Sequence, residues 1–214
     1  MKKIIALLMT GILLCALLAG CGAKGNTADT KNETVAASDG THPKVQFTME
    51  ESSELPGGSF TMELYPEYAP KSVENFLKLV NEHFYDGLTF HRVMDGFMAQ
   101  GGDPSLSGRS DSADTIVGEF ASNGFEQNTL SHTRGVVSMA RTNIPDSASS
   151  QFFICYDDAT FLDGNYAAFG KVIEGMETVD SFLKVKRTYN SGGELAVPVT
   201  PIVIASAVVL DDAQ

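Results

Sequence analysis

What most constrains the fold of this chain is the shortness of its hydrophobic runs. Val45, Phe47 and Met49 share one face of a first alternating run, and Phe60, Met62 and Leu64 share one face of a second. Polar residues fill the opposite faces, and the intervening LPGGS supplies turn chemistry, so two half-buried antiparallel strands are expected. Six further β-type runs follow: Thr89–Met94, Phe97–Gln100, Gly135–Ala140, Gln151–Tyr156, Ala167–Ile173 and Pro201–Leu210. Only two stretches carry a helical period. Ala69 to Phe84 places Val73, Phe76, Leu77, Val80 and Phe84 on one stripe just after Pro70, and a shorter stretch after Gly175 aligns Met176, Val179 and Leu183. Many short strands, glycine-rich turns and two helices predict a closed β-barrel capped by helices. There is no internal repeat.

The barrel must be held by its core, because cysteine offers nothing. Lys2 and Lys3 precede an apolar run from Ile4 to Leu18, which ends in small residues and Cys21. That run is too short for a membrane span of about 20 residues and reads as a secretory signal over residues 1–20. Its end, LLAGC, resembles a bacterial lipobox, which would leave Cys21 diacylated at the mature N-terminus. Cys15 departs with the signal, so Cys155 alone remains and no intramolecular disulfide can form. Residues 22–41 hold Val35 as their one large apolar side chain and read as a tether with an r.m.s. reach of roughly 25 Å. The domains expected are therefore signal 1–20, lipidated cysteine and tether 21–42, and a folded domain 43–214. Loss of Lys2 and Lys3 takes the formal charge from -12 to -14. An acidic chain repels nucleic acid and anionic lipid alike, so attachment would rest on acyl chains.

The chemistry concentrates in two segments. Phe90 to Asp103 reads FHRVMDGFMAQGGD, and Ser149 to Cys155 reads SSQFFIC. One fixed cation (Arg92), two amides (Gln100, Gln151) and several large apolar side chains suit an uncharged substrate bound mostly by shape. They suit hydrolysis poorly, because no nucleophile–base pair accompanies them. His42, His83, His91 and His132 lack zinc-site spacing, so no metal is expected. Cys155 sits in apolar FFICY and reads as a buried, inert thiol. Serines around Ser147 to Ser150 lack a GxSxG setting, and Gly101-Gly102-Asp103 lacks the lysine of a phosphate loop. From pattern alone, Phe97, Met98 and Phe153 read as ordinary core.

In order and spacing, YPEYAPKSVENFLKLV, YDGLTFHRVMDGFMAQGGD, IVGEF, GVVSMA, SSQFFIC, FLDGNYAAFGKVIEGMETVD and the closing strand resemble the cyclophilin family of peptidyl-prolyl cis-trans isomerases. The likeness runs from about Val45 to the C-terminus. It implies a mainly β fold, a closed antiparallel eight-stranded β-barrel capped by two α-helices, with no cofactor. It puts the catalytic arginine at Arg92, with His91 beside it, and the apolar residues of a proline pocket at Phe97, Met98, Phe153 and Leu162. The substrate-contacting amides fall on Gln100 and Gln151, and a backbone-contact segment falls on Ala140 and Arg141. Phe161 stands where many members carry tryptophan, and Tyr166 where they carry histidine. The first change puts cyclosporin affinity in doubt, since cyclosporin uses the tryptophan N–H. A loop that is usually glycine-rich reads SDSAD (Ser110 to Asp114), and Asp111 and Asp114 would favour basic or polar residues two before proline.

The expectation is a rotamase, lipid-anchored on the extracytoplasmic face of a bacterial membrane, that acts on proline-containing polypeptides as secreted proteins fold. The alternative is a proline-peptide binding or chaperone module without turnover. A lipid-tethered hydrolase ranks last. No nucleic-acid partner is expected, and nothing points to an obligate dimer.

Overall fold

The computed structural model describes residues 42–107 and 113–210. The signal segment, Cys21, the tether and Ser110 to Ser112 of the SDSAD loop lie outside the described residues. The strands are β1 (Lys44–Met49), β2 (Gly58–Leu64), β3 (Thr89–Met94), β4 (Met98–Gly101), β5 (Val136–Met139), β6 (Phe152–Cys155) and β7 (Ala168–Glu174). After them come β8 (Arg187–Tyr189), β9 (Leu195–Pro198) and β10 (Ile202–Leu210); the helices are α1 (Pro70–Asn81) and α2 (Met176–Ser181). Eight strands close a barrel in the order β1-β10-β3-β4-β6-β5-β7-β2, every pair antiparallel. Closure leaves the barrel itself without a strand edge to template association. The expected barrel and its two helices are borne out.

Alternation decides which side chains enter the barrel. Val45, Phe47 and Met49 of β1 are buried while their neighbours are half-exposed. Phe47 lies opposite Phe60 across the β1–β2 pair, and their rings stack at 5.3 Å. Phe76 of α1 enters the same cluster, edge-on to Phe152 at 5.4 Å and 5.0 Å from Phe169. The interior is thus filled by aromatic rings, and a ligand site has to lie on the outer wall.

Two expectations on the helices are corrected. The α1 stripe was expected to run from Ala69 to Phe84, but the helix ends at Asn81 and His83 adopts a left-handed φ of 55°. Phe84 is buried from the turn beyond it, and Leu79 rather than Leu77 faces fully inward. The second stripe breaks similarly, α2 passing into a 3-10 turn at Phe182–Lys184 that carries Leu183. The β8–β9 hairpin, a separate two-stranded sheet, was not expected at all.

The start of α1 is completed from a distance. A helix leaves its first N–H groups without intrahelical partners. Pro70 has none to offer, and Ala69 provides no side-chain cap. The N–H groups of Lys71 and Ser72 instead donate to the two carboxylate oxygens of Glu119, each at 2.8 Å, and Ser72 Oγ donates at 2.7 Å. Val73 N–H already reaches Ala69 O. Every donor of the first turn is accounted for.

Candidate active site

The site exists because strand parity splits β4 and β6 between two apolar clusters. Ala99, Phe152 and Ile154 face the barrel core, whereas Met98, Phe153 and Cys155 face outward into a second cluster with Ala159 and Leu162. β3 needs one more device to contribute. Phe90 and Val93 both point into the core, three positions apart, which strict alternation forbids. Phe90 pairs with Gly101 and Arg92 with Gln100, so His91 is an extra residue bulged between them. The bulge turns Arg92 to the outer wall beside Met98 and Gln100. Gly101 permits the close pairing, since a Cβ there would sit 3.0 Å from the Phe90 ring.

The outer cluster floors a cavity of about 300 Å³. Met98, Phe153 and Leu162 form its buried base, and Phe97, Ala140 and Tyr166 its partly exposed walls. Phe161 is 70 % exposed and packs its ring 5.7 Å from Phe97 at the rim. Arg141 also lines the cavity, but its guanidinium donates to the carbonyls of Asn165 and Thr142 and stacks over Tyr166 at 4.5 Å and Phe120 at 4.9 Å. It serves as a wall rather than as a free donor.

Arg92 brings the cavity its cation. Its Nη1 lies 3.4 Å from Gln100 Oε1 and 3.9 Å from Met98 Sδ, both on cavity residues, and Cζ is 5.9 Å from the Phe97 centroid. Gln100 Nε2 donates to Gln151 Oε1 at 2.8 Å, and Gln151 Nε2 donates to Asp103 Oδ2 at 2.8 Å. This chain fixes both amides. Asp103 accepts only, so Gln151 turns its NH2 toward it and its oxygen toward Gln100, which leaves the Gln100 oxygen for Arg92. Asp103 was not expected in the site. Its place three residues after Gln100 in AQGGD was the available signal.

The structure gathers Arg92, Phe97, Met98, Gln100, Ala140, Arg141, Phe153, Phe161, Leu162 and Tyr166 around one cavity, with Gln151 joined through Gln100. It does not bring His91 into it. That ring lines a neighbouring groove of about 410 Å³ with Leu106, Val197 and Pro201. Burial lowers its pKa from the usual value, against the pull of Asp103. A smaller polar recess of about 140 Å³ continues the main cavity past Ala140 toward Thr142 and Ser147. Asp114, the one acid of the SDSAD loop among the described residues, is exposed and lines none of these spaces.

Beneath the floor lies an array that mimics a hydrolase. His132 stacks under Phe153 at 6.0 Å, with Nδ1 2.8 Å from Asp163 Oδ1 and Nε2 3.0 Å from Ser138 Oγ. The carboxylate sets the tautomer: Nδ1–H donates to Asp163, and Nε2 accepts from the serine. Burial pushes the His132 pKa below its usual value despite Asp163. Ser138 is 0 % exposed in the barrel wall, so no substrate carbonyl can reach its Oγ. The array is a support for Phe153. Cys155 is equally enclosed, and burial pushes its thiol up to about 12.

Comparison with known proteins agrees with this arrangement. Residues 45–209 match the family described as cyclophilin type peptidyl-prolyl cis-trans isomerase/CLD. The peptidyl-prolyl cis-trans isomerase A of Dickeya dadantii is 44 % identical over 158 residues, covering 72 % of this chain and 80 % of its own. A peptidyl-prolyl cis-trans isomerase of Acinetobacter baylyi is 43 % identical over 154 residues, 70 % of this chain and 79 % of its own. A crystal structure of a Cryptosporidium parvum cyclophilin type isomerase superposes with a TM-score of 0.64 at 27 % identity, covering 80 % of this chain and 99 % of that one. The same protein in the presence of the dipeptide Ala-Pro gives 0.62 at 28 % identity, covering 79 % and 99 %. Barrel order, outward cluster and sequence identity converge, and the chain belongs to the cyclophilin-type peptidyl-prolyl cis-trans isomerases.

Proposed function

We propose that this isomerase accelerates the folding of secreted or surface polypeptides from a lipid anchor at Cys21, with Arg92 stabilising the twisted X-Pro amide. The observation that carries the reading is a cation donor beside a largely apolar cavity of about 300 Å³, which has room for a pyrrolidine ring and part of its flanking chain. A trans peptide resists rotation by about 18–20 kcal/mol because the nitrogen lone pair is delocalised into the carbonyl. Midway through rotation the nitrogen regains that lone pair and becomes a hydrogen-bond acceptor. An Nη1–H aimed at it gains most in the twisted state, which is the condition for catalysis.

Magnitudes divide the labour. A charge-assisted hydrogen bond contributes about 1.5–3 kcal/mol net, whereas a 10⁵-fold acceleration needs about 7 kcal/mol. Phe97, Met98, Phe153 and Leu162 supply much of the rest by holding the ring in a dry cavity. Gln100 and Gln151, pre-oriented by Asp103, hold the chain while its carbonyl end swings. No proton or electron is transferred, so neither a nucleophile nor a cofactor enters.

The biological setting is tested on the intact chain. Mass analysis of the mature N-terminus is expected to give a diacylated Cys21, and Cys21→Ser to release the protein from the membrane fraction. Catalytic amounts should also speed the slow, proline-limited refolding phase of an unfolded secreted protein, which takes tens of seconds unaided. An unmodified Cys21 with the protein in the soluble fraction would overturn the anchoring; an unaltered slow phase would overturn the folding role.

A further inference from the structure

We propose that Glu194, on the turn of the β8–β9 hairpin, is the positioning residue for Arg92, fixing its guanidinium plane so that Nη1 faces the proline cavity. The inference rests on the reading of Arg92 as the catalytic cation and adds a residue 102 positions away in sequence.

The contact is bidentate. Arg92 Nε donates to Glu194 Oε2 at 2.9 Å and Nη2 donates to Oε1 at 2.7 Å. Two parallel bonds on the Nε/Nη2 edge define the plane of the guanidinium, as one bond cannot. With that edge occupied, Nη1 is the nitrogen left over, and it lies among the cavity residues Gln100 and Met98. The 3.4 Å spacing from Nη1 to Gln100 is too long to orient the group unaided.

The carboxylate is itself held before it meets the arginine. Asn190 Nδ2 donates to Glu194 Oε2 at 2.6 Å, and Asn190 Oδ1 accepts the N–H groups of Gly192 and Glu194, both at 2.9 Å. Backbone bonds from Asn190 N to Glu194 O at 2.9 Å and from Gly193 N to Asn190 O at 3.1 Å close the turn, and Gly193 takes a left-handed φ of 80°. Hydrogen bonds from Arg92 and then from Asn190 keep the Glu194 carboxyl below its usual range, outweighing its partial burial. The hairpin therefore presents a rigid, charged acceptor to a long and otherwise flexible side chain.

A positioning residue has a different signature from a structural one. Glu194→Ala is expected to lower kcat for an Ala-Pro peptide roughly tenfold with KM nearly unchanged, because the fault is in aim rather than in binding. Glu194→Gln, which keeps one acceptor but turns an NH2 toward Nη2, should fall between. NMR of the intact protein supplies the second readout. In the wild type the Arg92 Nε–H resonance should be sharp, with hindered rotation about Nε–Cζ, whereas in Glu194→Ala that rotation should become fast while backbone resonances outside residues 187–198 stay put. Arg92→Ala measured in parallel separates the two ideas. If its rate falls roughly 10- to 150-fold while Glu194→Ala turns over at the wild-type rate or faster, the positioning role is overturned. If Arg92→Ala is itself fully active, the reading beneath it fails instead.

Discussion

Glu119 offers the sharpest test of how the fold is held. Its carboxylate is 1 % exposed and accepts three hydrogen bonds at the start of α1. Glu119→Gln keeps the shape but leaves one acceptor oxygen, and the new NH2 confronts either the Lys71 or the Ser72 N–H. Bonds to a charged group contribute about 1.5–3 kcal/mol each, and a negative charge at a helix N-terminus adds about 0.3–2 kcal/mol. Losing one of the three bonds, weakening the other two and removing the charge therefore costs about 4 kcal/mol. At about 2–4 °C per kcal/mol for a chain of this size, Tm should fall by roughly 8–16 °C. Circular-dichroism melting of wild type and variant at pH 7.5 reads this directly. At 10 °C, where both are folded, activity should agree within about twofold, because the Glu119 carboxylate bonds to the start of α1, whose residues do not line the cavity. A fall below about 3 °C would show that α1 does not depend on this distant cap.

Further outcomes follow from the site and its support. Phe153→Ala removes the cavity floor and the ring over His132, and should raise KM roughly tenfold and cost about 3 kcal/mol of stability; an unchanged KM would contradict the floor assignment. His91 and His132 both have pKa values lowered by burial, so the unfolded chain binds more protons below about pH 6.5. Their contribution is complete above that pH and is lost as pH falls, and Tm should drop between pH 7 and pH 5, less steeply in His132→Gln. Cys155, buried with its thiol pushed up to about 12, should resist iodoacetamide at pH 7.5 and react fully once urea unfolds the chain.

The strands of the barrel were legible because alternation and glycine turns are local signals. Val45, Phe47 and Met49 declare their face without reference to anything else. Long-range features were not. Glu119 caps a helix 47 positions before it, and no local pattern marks a carboxylate for that purpose. The bulge at His91 was visible only as Phe90 and Val93 three apart, a spacing equally compatible with a loop. The β8–β9 hairpin is short and largely exposed, so its residues lack an apolar stripe, although Asn190-Ser-Gly-Gly is a turn signal between Thr-Tyr and Leu-Ala-Val. The outward cluster was the hardest to read. Strand parity makes Phe152 core and Phe153 cavity, and in a continuous run such as FFICY only resemblance to a family distinguishes them.

The central claim is that Arg92 acts on the twisted amide and not on the bound ground state. NMR exchange spectroscopy on an Ala-Pro peptide measures both at once, giving affinity from titration shifts and turnover from cis–trans cross-peaks. Arg92→Ala should bind the peptide within about threefold of wild type, yet its cis–trans exchange should fall by about 1.5–3 kcal/mol, roughly 10- to 150-fold. Equal exchange rates in a folded Arg92→Ala protein would contradict the account.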